Sequence, residues 1–485
     1  MASRPSTSTV PPAPAKNRAV PLRTVLALAC AAQFMVILDS SIVNVALPSV
    51  DRDLHFGGTG PAWVVNGYLL TFAGFMLLGG RAADLFGPRR TLTAGLTLFT
   101  AAGLAGGLAT TADALVAARV AQGVGAAMMA PATLVVINTH FTSEHARAKA
   151  FGAWSAAGGV GGLSGALAGG ALTTGLSWRW VFLINVPIGA VLITLALTAL
   201  TPTAQTATRA DRTRSLDITG AVTATAGLGA LIYGVMQTSD YAWTSPQAAA
   251  PILAGVLLLA VFALVEARFA RRPIMPPRLV RLRGVAVGGT ALVLFGGVGI
   301  AMWYFTSLFL QDVLGYTALR SGLGQTPAAV VFMLTARRAA PLLPRVGVRV
   351  LLAAGGLAFL TGFGWLSQAH AGTGFATGVL GPTLLVAVGI GLTFPTLMAA
   401  ATAGVPGGDA GVVGGLAATT NQIGGAVGLA VLATVAGPGS TAKATPAVLA
   451  AGYDRVFLIA AGLGVAVAAV GTLLPGRRRA GRTGD

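Results

Sequence analysis

The chain has 485 residues, of which 54% are hydrophobic and only 9% are charged. Soluble domains carry about 25% charged residues, so this composition excludes a soluble protein and indicates one that crosses a membrane many times. The formal net charge of +18 does not indicate nucleic-acid binding, because the basic residues recur in short segments between apolar runs. Cys30 is the single cysteine, which excludes internal disulfides and cysteine-based metal sites.

In chain order, residues 1–21 are rich in Pro, Ser and Ala and predict a disordered cytoplasmic tail. A transmembrane helix needs about 20 apolar residues. Apolar runs of this kind predict an all-α membrane protein with fourteen spans, over residues 22–48, 61–80, 91–110, 114–138, 148–173, 180–201, 215–237, 247–268, 284–311, 320–340, 350–367, 374–400, 411–436 and 455–475.

The basic residues predict the orientation of these spans. With a cytoplasmic N-terminus, most of the 32 Lys and Arg residues fall in cytoplasmic segments, so both termini are expected in the cytoplasm. The two longest cytoplasmic linkers, 202–214 and 269–283, bracket spans seven and eight. We therefore expect a 6+2+6 arrangement: an N-terminal six-helix bundle over 22–201, two extra helices with their linkers over 202–283, a C-terminal six-helix bundle over 284–475 and a basic tail over 476–485.

A short charged loop follows span two, with the sequence GGRAADLFGPRR over residues 79–90. Gly87 permits a sharp bend, and Asp84 can cap the next helix while pairing with an arginine. An ordinary charged turn is the alternative interpretation. The candidate conformational motif consists of Gly80, Asp84, Gly87, Arg89 and Arg90.

Several further stretches accompany this loop, namely LDSSIVNVALP (38–48), LVAARVAQG (115–123), GGVGGLSGALAGG (158–170), SWRWVFLINVPIG (177–189), FLQDVLGY (309–316) and GGLAATTNQIGG (414–425). In their order and spacing they resemble the fourteen-span drug/proton antiporters of the major facilitator superfamily. The chain departs from the family pattern at Ala166, where a proline is usual, and at Pro344, where an acid is usual.

The resemblance implies the major facilitator fold and proton-coupled efflux of amphipathic drugs or antibiotics by alternating access from a bacterial cell membrane. It implies no cofactor, since the proton gradient is the energy source. The expected partners are a small amphipathic substrate, protons and the lipid bilayer, with no nucleic acid and no obligatory protein partner. The alternatives are a proton-coupled or facilitative transporter of a metabolite, and a membrane protein that transports nothing.

Among the fourteen acidic residues, Asp39 alone lies well inside a predicted span. A carboxylate there is costly and indicates function. Arg119 lies roughly 8 Å into span four and Asp39 roughly 13 Å into span one, from the same side. The family fold places both helices at one cavity, so we expect an ion pair that couples to protons, with Gln122 orienting the guanidinium. A permanent structural pair is the alternative.

The glycines of span five have two interpretations: they allow close packing of helices, or they have a specific role in antiport. They are Gly161, Gly162, Gly165, Gly169 and Gly170. The spans contain no paired carboxylates or histidine cluster, so neither an enzyme nor a metal site is predicted. Aromatic and amide residues in apolar surroundings are candidates for the substrate cavity, although Trp and Tyr also anchor helices at interfaces. These candidates are Tyr68, Trp154, Trp303, Tyr304, Gln311, Asn421 and Gln422.

Overall fold

The computed structural model describes residues 21–56, 60–200, 218–238, 241–268, 277–370, 372–402, 410–437 and 445–474. The predicted disordered tail up to residue 20, the linker over 202–214 and the basic tail over 476–485 lie outside these described residues. The second linker lies outside them as far as residue 276. Throughout the described ranges the regular secondary structure is helical.

Long helical elements follow one another along the described chain. They are α1 (Leu22–Leu54), α2 (Gly60–Phe86), α3 (Pro88–Gly107), α4 (Ala112–His140), α5 (Glu144–Gly175), α6 (Trp180–Ala199), α7 (Ile218–Gln237), α8 (Pro246–Arg268), α9 (Arg283–Val313), α10 (Ala318–Val346), α11 (Val348–Leu366), α12 (Ala376–Thr402), α13 (Ala410–Ala436) and α14 (Pro446–Gly471).

Three of these elements are irregular. Helix α6 consists of Trp180–Leu183 and Asn185–Ala199, joined at Ile184. Helix α9 changes from α-helix to π-helix over Ala301–Phe305 and again over Phe309–Val313. Helix α12 begins with a π-helical turn, Ala376–Leu380. A π-turn adds one residue to a helical turn and so changes which side chains face a neighbouring helix.

Nine helices in the described ranges are long and apolar enough to cross a membrane: α1, α4, α6, α8, α9, α11, α12, α13 and α14. Helix α7 contains a shorter apolar stretch, Val222–Gln237. The apolar side chains of α8 include Leu253, Leu257 and Val261, which are all exposed, as expected for a helix that faces lipid. The predicted spans at α2, α3, α5, α7 and α10 stay predictions.

The helices pack in two groups. In the first, α1 packs along α5, and α2 and α3 pack along α4; in the second, α9 packs on α13, α10 on α12, and α11 on α12 and α14. Contacts between the groups come mainly from α5 with α10 and from α2 with α13, and α1 also contacts α9 and α10. Helices α7 and α8 pack on each other, and α7 contacts both α2 and α13. These two helices therefore lie beside the seam between the groups.

The glycines of α5 explain its close approach to α1. A Cβ atom placed on Gly161 would lie 2.7 Å from the carbonyl oxygen of Phe34, and one on Gly169 would lie 2.7 Å from the carbonyl oxygen of Ile42. A Cβ on Gly165 would lie equally close to Ser41, at 2.7 Å. Residues four apart share one helix face, so these glycines form a continuous contact.

The other two predicted glycines of α5 have different neighbours. Gly162 has space for a Cβ, which would lie 3.7 Å from Ile37. Gly170 faces the second helix group, since its Cβ would lie 2.6 Å from the Cα of Leu319 in α10. The small residues of α5 thus serve two interfaces, one within the first group and one between the groups.

Replacing Gly161 by alanine is expected to lower the melting temperature of the purified protein. The new methyl group must push α1 and α5 apart, and overpacking of this kind costs about 1–3 kcal/mol. Gly159 of the same helix is the matched control, because a Cβ atom placed on it would meet nothing within 4 Å. A thermal-shift measurement in detergent in which G161A and G159A melt alike would contradict this packing.

Candidate functional site

An ion pair lies in the middle of the first helix group. The Asp39 carboxylate in α1 is fully buried, and its Oδ2 accepts a hydrogen bond of 2.6 Å from Nη1 of Arg119 in α4. Arg119 is itself only 1% exposed. The contact expected from the depths of the two residues is therefore present, with no bulk water around either charge.

Two amides complete the hydrogen bonding of the carboxylate. Oδ1 of Asp39 accepts 2.7 Å from Nδ2 of Asn185 in α6 and 3.2 Å from Nε2 of Gln122 in α4. The Oε1 atom of Gln122 in turn accepts 2.9 Å from Nη1 of Arg119. Gln122 lies one helical turn beyond Arg119, so it reaches both charges and fixes the guanidinium against the acid.

Helix α2 holds the other side of the guanidinium. Nε of Arg119 donates 2.9 Å to the carbonyl oxygen of Val64, and the ring of Tyr68 lies 4.3 Å from the guanidinium carbon. The ring of Phe182 in α6 lies 5.8 Å away. Aromatic faces attract a cation, most strongly where water is excluded. Tyr68, predicted as a cavity residue, therefore belongs to this charged network.

The network surrounds a buried acid with polar donors. Three hydrogen bonds reach the Asp39 carboxylate, and one of them comes from the guanidinium of Arg119. Removing one member of a buried ion pair costs about 3–5 kcal/mol, because the other charge is left without compensation. Asp39 and Arg119 therefore depend on each other for compensation within the helix group.

Asn185 is not among the residues predicted from the sequence. It lies in the stretch SWRWVFLINVPIG, directly after the break in α6 at Ile184, and its side chain is fully buried. The sequence does contain a signal for Asn185. It is a strongly polar residue near the start of an apolar span, at a depth similar to that of Arg119.

The turn between α2 and α3 has the predicted bend. Gly87 has a φ of 86°, a backbone conformation that side chains disfavour, and Arg89 donates 2.8 Å to the carbonyl oxygen of Leu197 near the end of α6. Arg90 is exposed, and Gly80 lies within α2 against Pro131. The backbone of Asp84 is in the last turn of α2, but its side chain is outside the described part of the structure.

A large cavity of about 1010 Å³ opens at the end of the bundle where α1 ends and α2 begins. Both helix groups contribute to its wall. Of the predicted cavity residues, Tyr304 and Gln311 line it, and Nε2 of Gln311 donates 3.2 Å to the carbonyl oxygen of Val45 in α1. This bond connects the wall of the cavity to the helix that carries Asp39.

The remaining predicted cavity residues lie elsewhere among the described residues. Trp154 donates 3.0 Å to Oγ1 of Thr133 and packs in a small apolar cluster of α1, α4 and α5. Trp303 in α9 packs against the main core. Asn421 and Gln422 are half-buried in α13, away from the described lining of this cavity.

The chain matches the model of the Major Facilitator Superfamily over residues 29–429. It belongs to this superfamily. It is 44% identical to the cephamycin export protein CmcT of Amycolatopsis lactamdurans, over 94% of this chain and 93% of that protein. It is 38% identical to the puromycin resistance protein pur8 of Streptomyces alboniger, over 86% of this chain and 82% of that protein.

Solved structures share the fold of this superfamily member. A D-xylose-proton symporter superposes with a TM-score of 0.67, at 14% identity and over 94% of this chain and 98% of that one. As a member of this superfamily with these relatives, the chain is a multi-pass transporter of the cell membrane and not an enzyme, and its described ranges are helical. In the described ranges no group of three or more His, Cys, Asp or Glu side chains is arranged to hold a metal ion.

Replacing Arg119 by glutamine in this transporter is expected to lower its stability by about 3–5 kcal/mol, since Asp39 is left as an uncompensated buried charge. The Asp39→Asn, Arg119→Gln double variant should lose less than the sum of the two single losses. A double-mutant cycle from detergent unfolding measures this difference.

The matched control is Arg179→Gln. Arg179 pairs with Asp53 at 2.6 Å, but both side chains are substantially exposed, at 35% and 48%. An exposed pair contributes about 1 kcal/mol or less. Additive losses at Asp39 and Arg119, or a loss at Arg179 as large as that at Arg119, would contradict the energetic role assigned to the buried pair.

Proposed function

We propose that this transporter exports amphipathic drugs or antibiotics in exchange for protons by alternating access. The observation that carries the proposal is the buried Asp39 carboxylate, held by Arg119, Gln122 and Asn185. The relatives support the substrate class, since they are named for cephamycin export and puromycin resistance. A tetracenomycin C resistance and export protein of Streptomyces glaucescens is 32% identical over 86% of this chain.

The proposed topology has fourteen spans in a 6+2+6 arrangement with both termini in the cytoplasm. Its parts are a cytoplasmic tail (1–21), an N-terminal bundle (22–201), the extra helices with their linkers (202–283), a C-terminal bundle (284–475) and a basic tail (476–485). The packing of α7 and α8 on each other beside α2 and α13 supports this division. In this orientation the large cavity opens to the outside of the cell.

In the proposed cycle a proton from outside binds Asp39. The neutral acid no longer attracts Arg119, whose guanidinium keeps the carbonyl oxygen of Val64 and the ring of Tyr68 as partners. A proton that moves inward down a potential of 100 mV supplies about 2.3 kcal/mol, which drives the outward movement of substrate. No cofactor takes part, and the described interactions require no protein partner.

The remaining motif residues take supporting roles in this proposal. Gly80, Asp84, Gly87, Arg89 and Arg90 hold the cytoplasmic turn, and Arg89 ties it to the end of α6. The glycines of α5 let that helix move against α1 and α10 without opening a gap between them. Substrate occupies the large cavity, where Tyr304 and Gln311 lie.

The Asp39→Asn variant is expected to lose proton-driven export by at least about tenfold while it still binds substrate. Asparagine preserves the shape of the side chain but carries no titratable group. The measurement uses everted membrane vesicles energised by respiration, with puromycin as substrate and release of protons followed by a pH-sensitive dye. An uncoupler should abolish transport by the wild type.

Two controls accompany this measurement. Asp53→Asn removes an acid of the same helix that is 48% exposed, and export should persist. Asp39→Glu restores a titratable acid and should recover part of the activity. Export that survives Asp39→Asn and the uncoupler would indicate facilitative transport, and accumulation of metabolites instead of puromycin would indicate a metabolite transporter.

A further inference from the structure

A second acid, Asp312, lies in the wall of the large cavity and has no role in the ion-pair network. It belongs to the π-helical turn Phe309–Val313 at the end of α9. Its Oδ2 accepts a hydrogen bond of 2.7 Å from the hydroxyl of Tyr453 in α14. The tyrosine is only 4% exposed, so its hydroxyl binds the carboxylate from the protein side, while Asp312 itself lines the cavity.

The other charged and titratable groups of the cavity lie near its mouth. Arg52 and His55 are exposed at the end of α1, and Asp51 is half-buried beside them. The guanidinium of Arg52 donates to its own helix, at 3.1 Å to the carbonyl oxygen of Pro48 and 3.3 Å to Oγ of Ser49.

Asp312 makes no direct ion pair in the described part of the chain, and Arg52 acts on it only from a longer distance. Within those ranges no Lys, Arg or His nitrogen lies within 4.0 Å of the Asp312 carboxylate. A partly desolvated carboxylate with a single hydroxyl donor is poorly compensated. An organic cation that entered the cavity would supply the missing charge.

The walls beside Asp312 are aromatic. Tyr304 and Phe305 from α9 and Tyr453 from α14 line the cavity, as does Tyr316, whose ring already carries the guanidinium of Arg320 at 3.8 Å. The rings of Tyr304 and Phe305 are 4.9 Å apart at 73°, and Phe305 and Tyr453 are 6.3 Å apart at 61°. Aromatic faces bind both apolar bodies and positive charge, so this surface suits an amphipathic cation.

Two adjacent polar side chains of the π-turn contact different helices. Gln311 donates to the carbonyl oxygen of Val45 in α1, whereas Asp312 is bound by Tyr453 of α14 on another side of the cavity. The wider turn of a π-helix is often found at functional sites, because it reorients side chains that an α-helix would direct elsewhere.

We propose that Asp312 is a specificity-determining residue that anchors the positive charge of an amphipathic organic cation in the outer cavity. This proposal rests on the proposed export of amphipathic compounds and adds that the exported compounds carry a positive charge. Tyr453 positions the carboxylate, and the aromatic walls contact the apolar part of the molecule. The cavity volume of about 1010 Å³ accommodates a drug-sized compound with water around it.

The test uses two probes of similar size and opposite charge, tetraphenylphosphonium and tetraphenylborate. Equilibrium binding of each is measured on the purified full-length protein in detergent, where no proton gradient exists. The wild type should prefer the phosphonium. Asp312→Asn should weaken phosphonium binding about tenfold, equivalent to about 1.4 kcal/mol, and leave borate binding unchanged or tighter.

Two further variants keep the test decisive. Asp312→Glu retains the charge and should bind the phosphonium nearly as well as the wild type, which excludes a folding defect as the cause of the loss. Asp113→Asn removes an exposed acid at the start of α4, outside the described cavity lining, and should bind both probes normally.

Three results would overturn the anchoring role: a wild type with no preference for the phosphonium, an unchanged affinity in Asp312→Asn, or an equal loss of both probes. These binding results are independent of proton coupling. Export that fails to depend on Asp39 in vesicles would instead refute the proposed function, while a charge-selective effect of Asp312 would still stand.

Discussion

The structure of the first helix group depends on the compensation of one buried charge, the Asp39 carboxylate. Its donors come from two other helices, with Arg119 and Gln122 on α4 and Asn185 on α6. Helix α2 contributes through the carbonyl oxygen of Val64, which holds the arginine. A buried polar network is most stabilising when its members are satisfied, and here the carboxylate oxygens are, whereas Oδ1 of Asn185 has no partner among the described residues. The hydrogen bonds around this single acid and its arginine therefore connect four helices, α1, α2, α4 and α6.

The two helix groups share backbone features but differ in chemistry. Gly87 between α2 and α3 and Gly347 between α10 and α11 have the same φ of 86°, so the same sharp bend occurs in both groups. The acid of the first bend is replaced by Pro344 in the second. The second group instead contributes Asp312 and Tyr453 to the cavity wall. The first group thus buries the Asp39–Arg119 pair, while the cavity lining carries charged residues of both groups, Asp51 and Arg52 from α1 and Asp312 from α9.

The sequence predicts features that rest on strong physical signals. Asp39 is costly in an apolar span, and the depth of Arg119 follows from counting residues, so their pairing is predictable. Asn185 is harder to identify, because an amide carries no charge and many such residues only bond between helices. The orientation of Trp154, Asn421 and Gln422 depends on helix rotation, which a span that is apolar on all sides does not reveal.

Asp312 illustrates a different limit of sequence reasoning. Its position near the end of a span suggests an acid in interfacial water. The π-turn and the hydroxyl of Tyr453, which is distant in sequence, instead place it in the wall of a cavity. Neither the π-turn nor a partner 141 residues away follows from local sequence patterns. Contacts of this kind are decided by tertiary packing.

Helix α1 connects the buried pair to the rest of the transporter. Asp39 faces the network, Oγ of Ser41 donates 2.8 Å to the carbonyl oxygen of Gly162 in α5, and the carbonyl oxygen of Val45 accepts the bond from Gln311 of α9. Asp39 and the first cavity residue of α1, Leu47, are about 12 Å apart along the helix axis. In the proposed cycle, a change of charge at Asp39 alters the forces on α1. Because this one helix also contacts the glycine-rich helix and the second group, any movement that follows reaches the cavity wall without a separate relay.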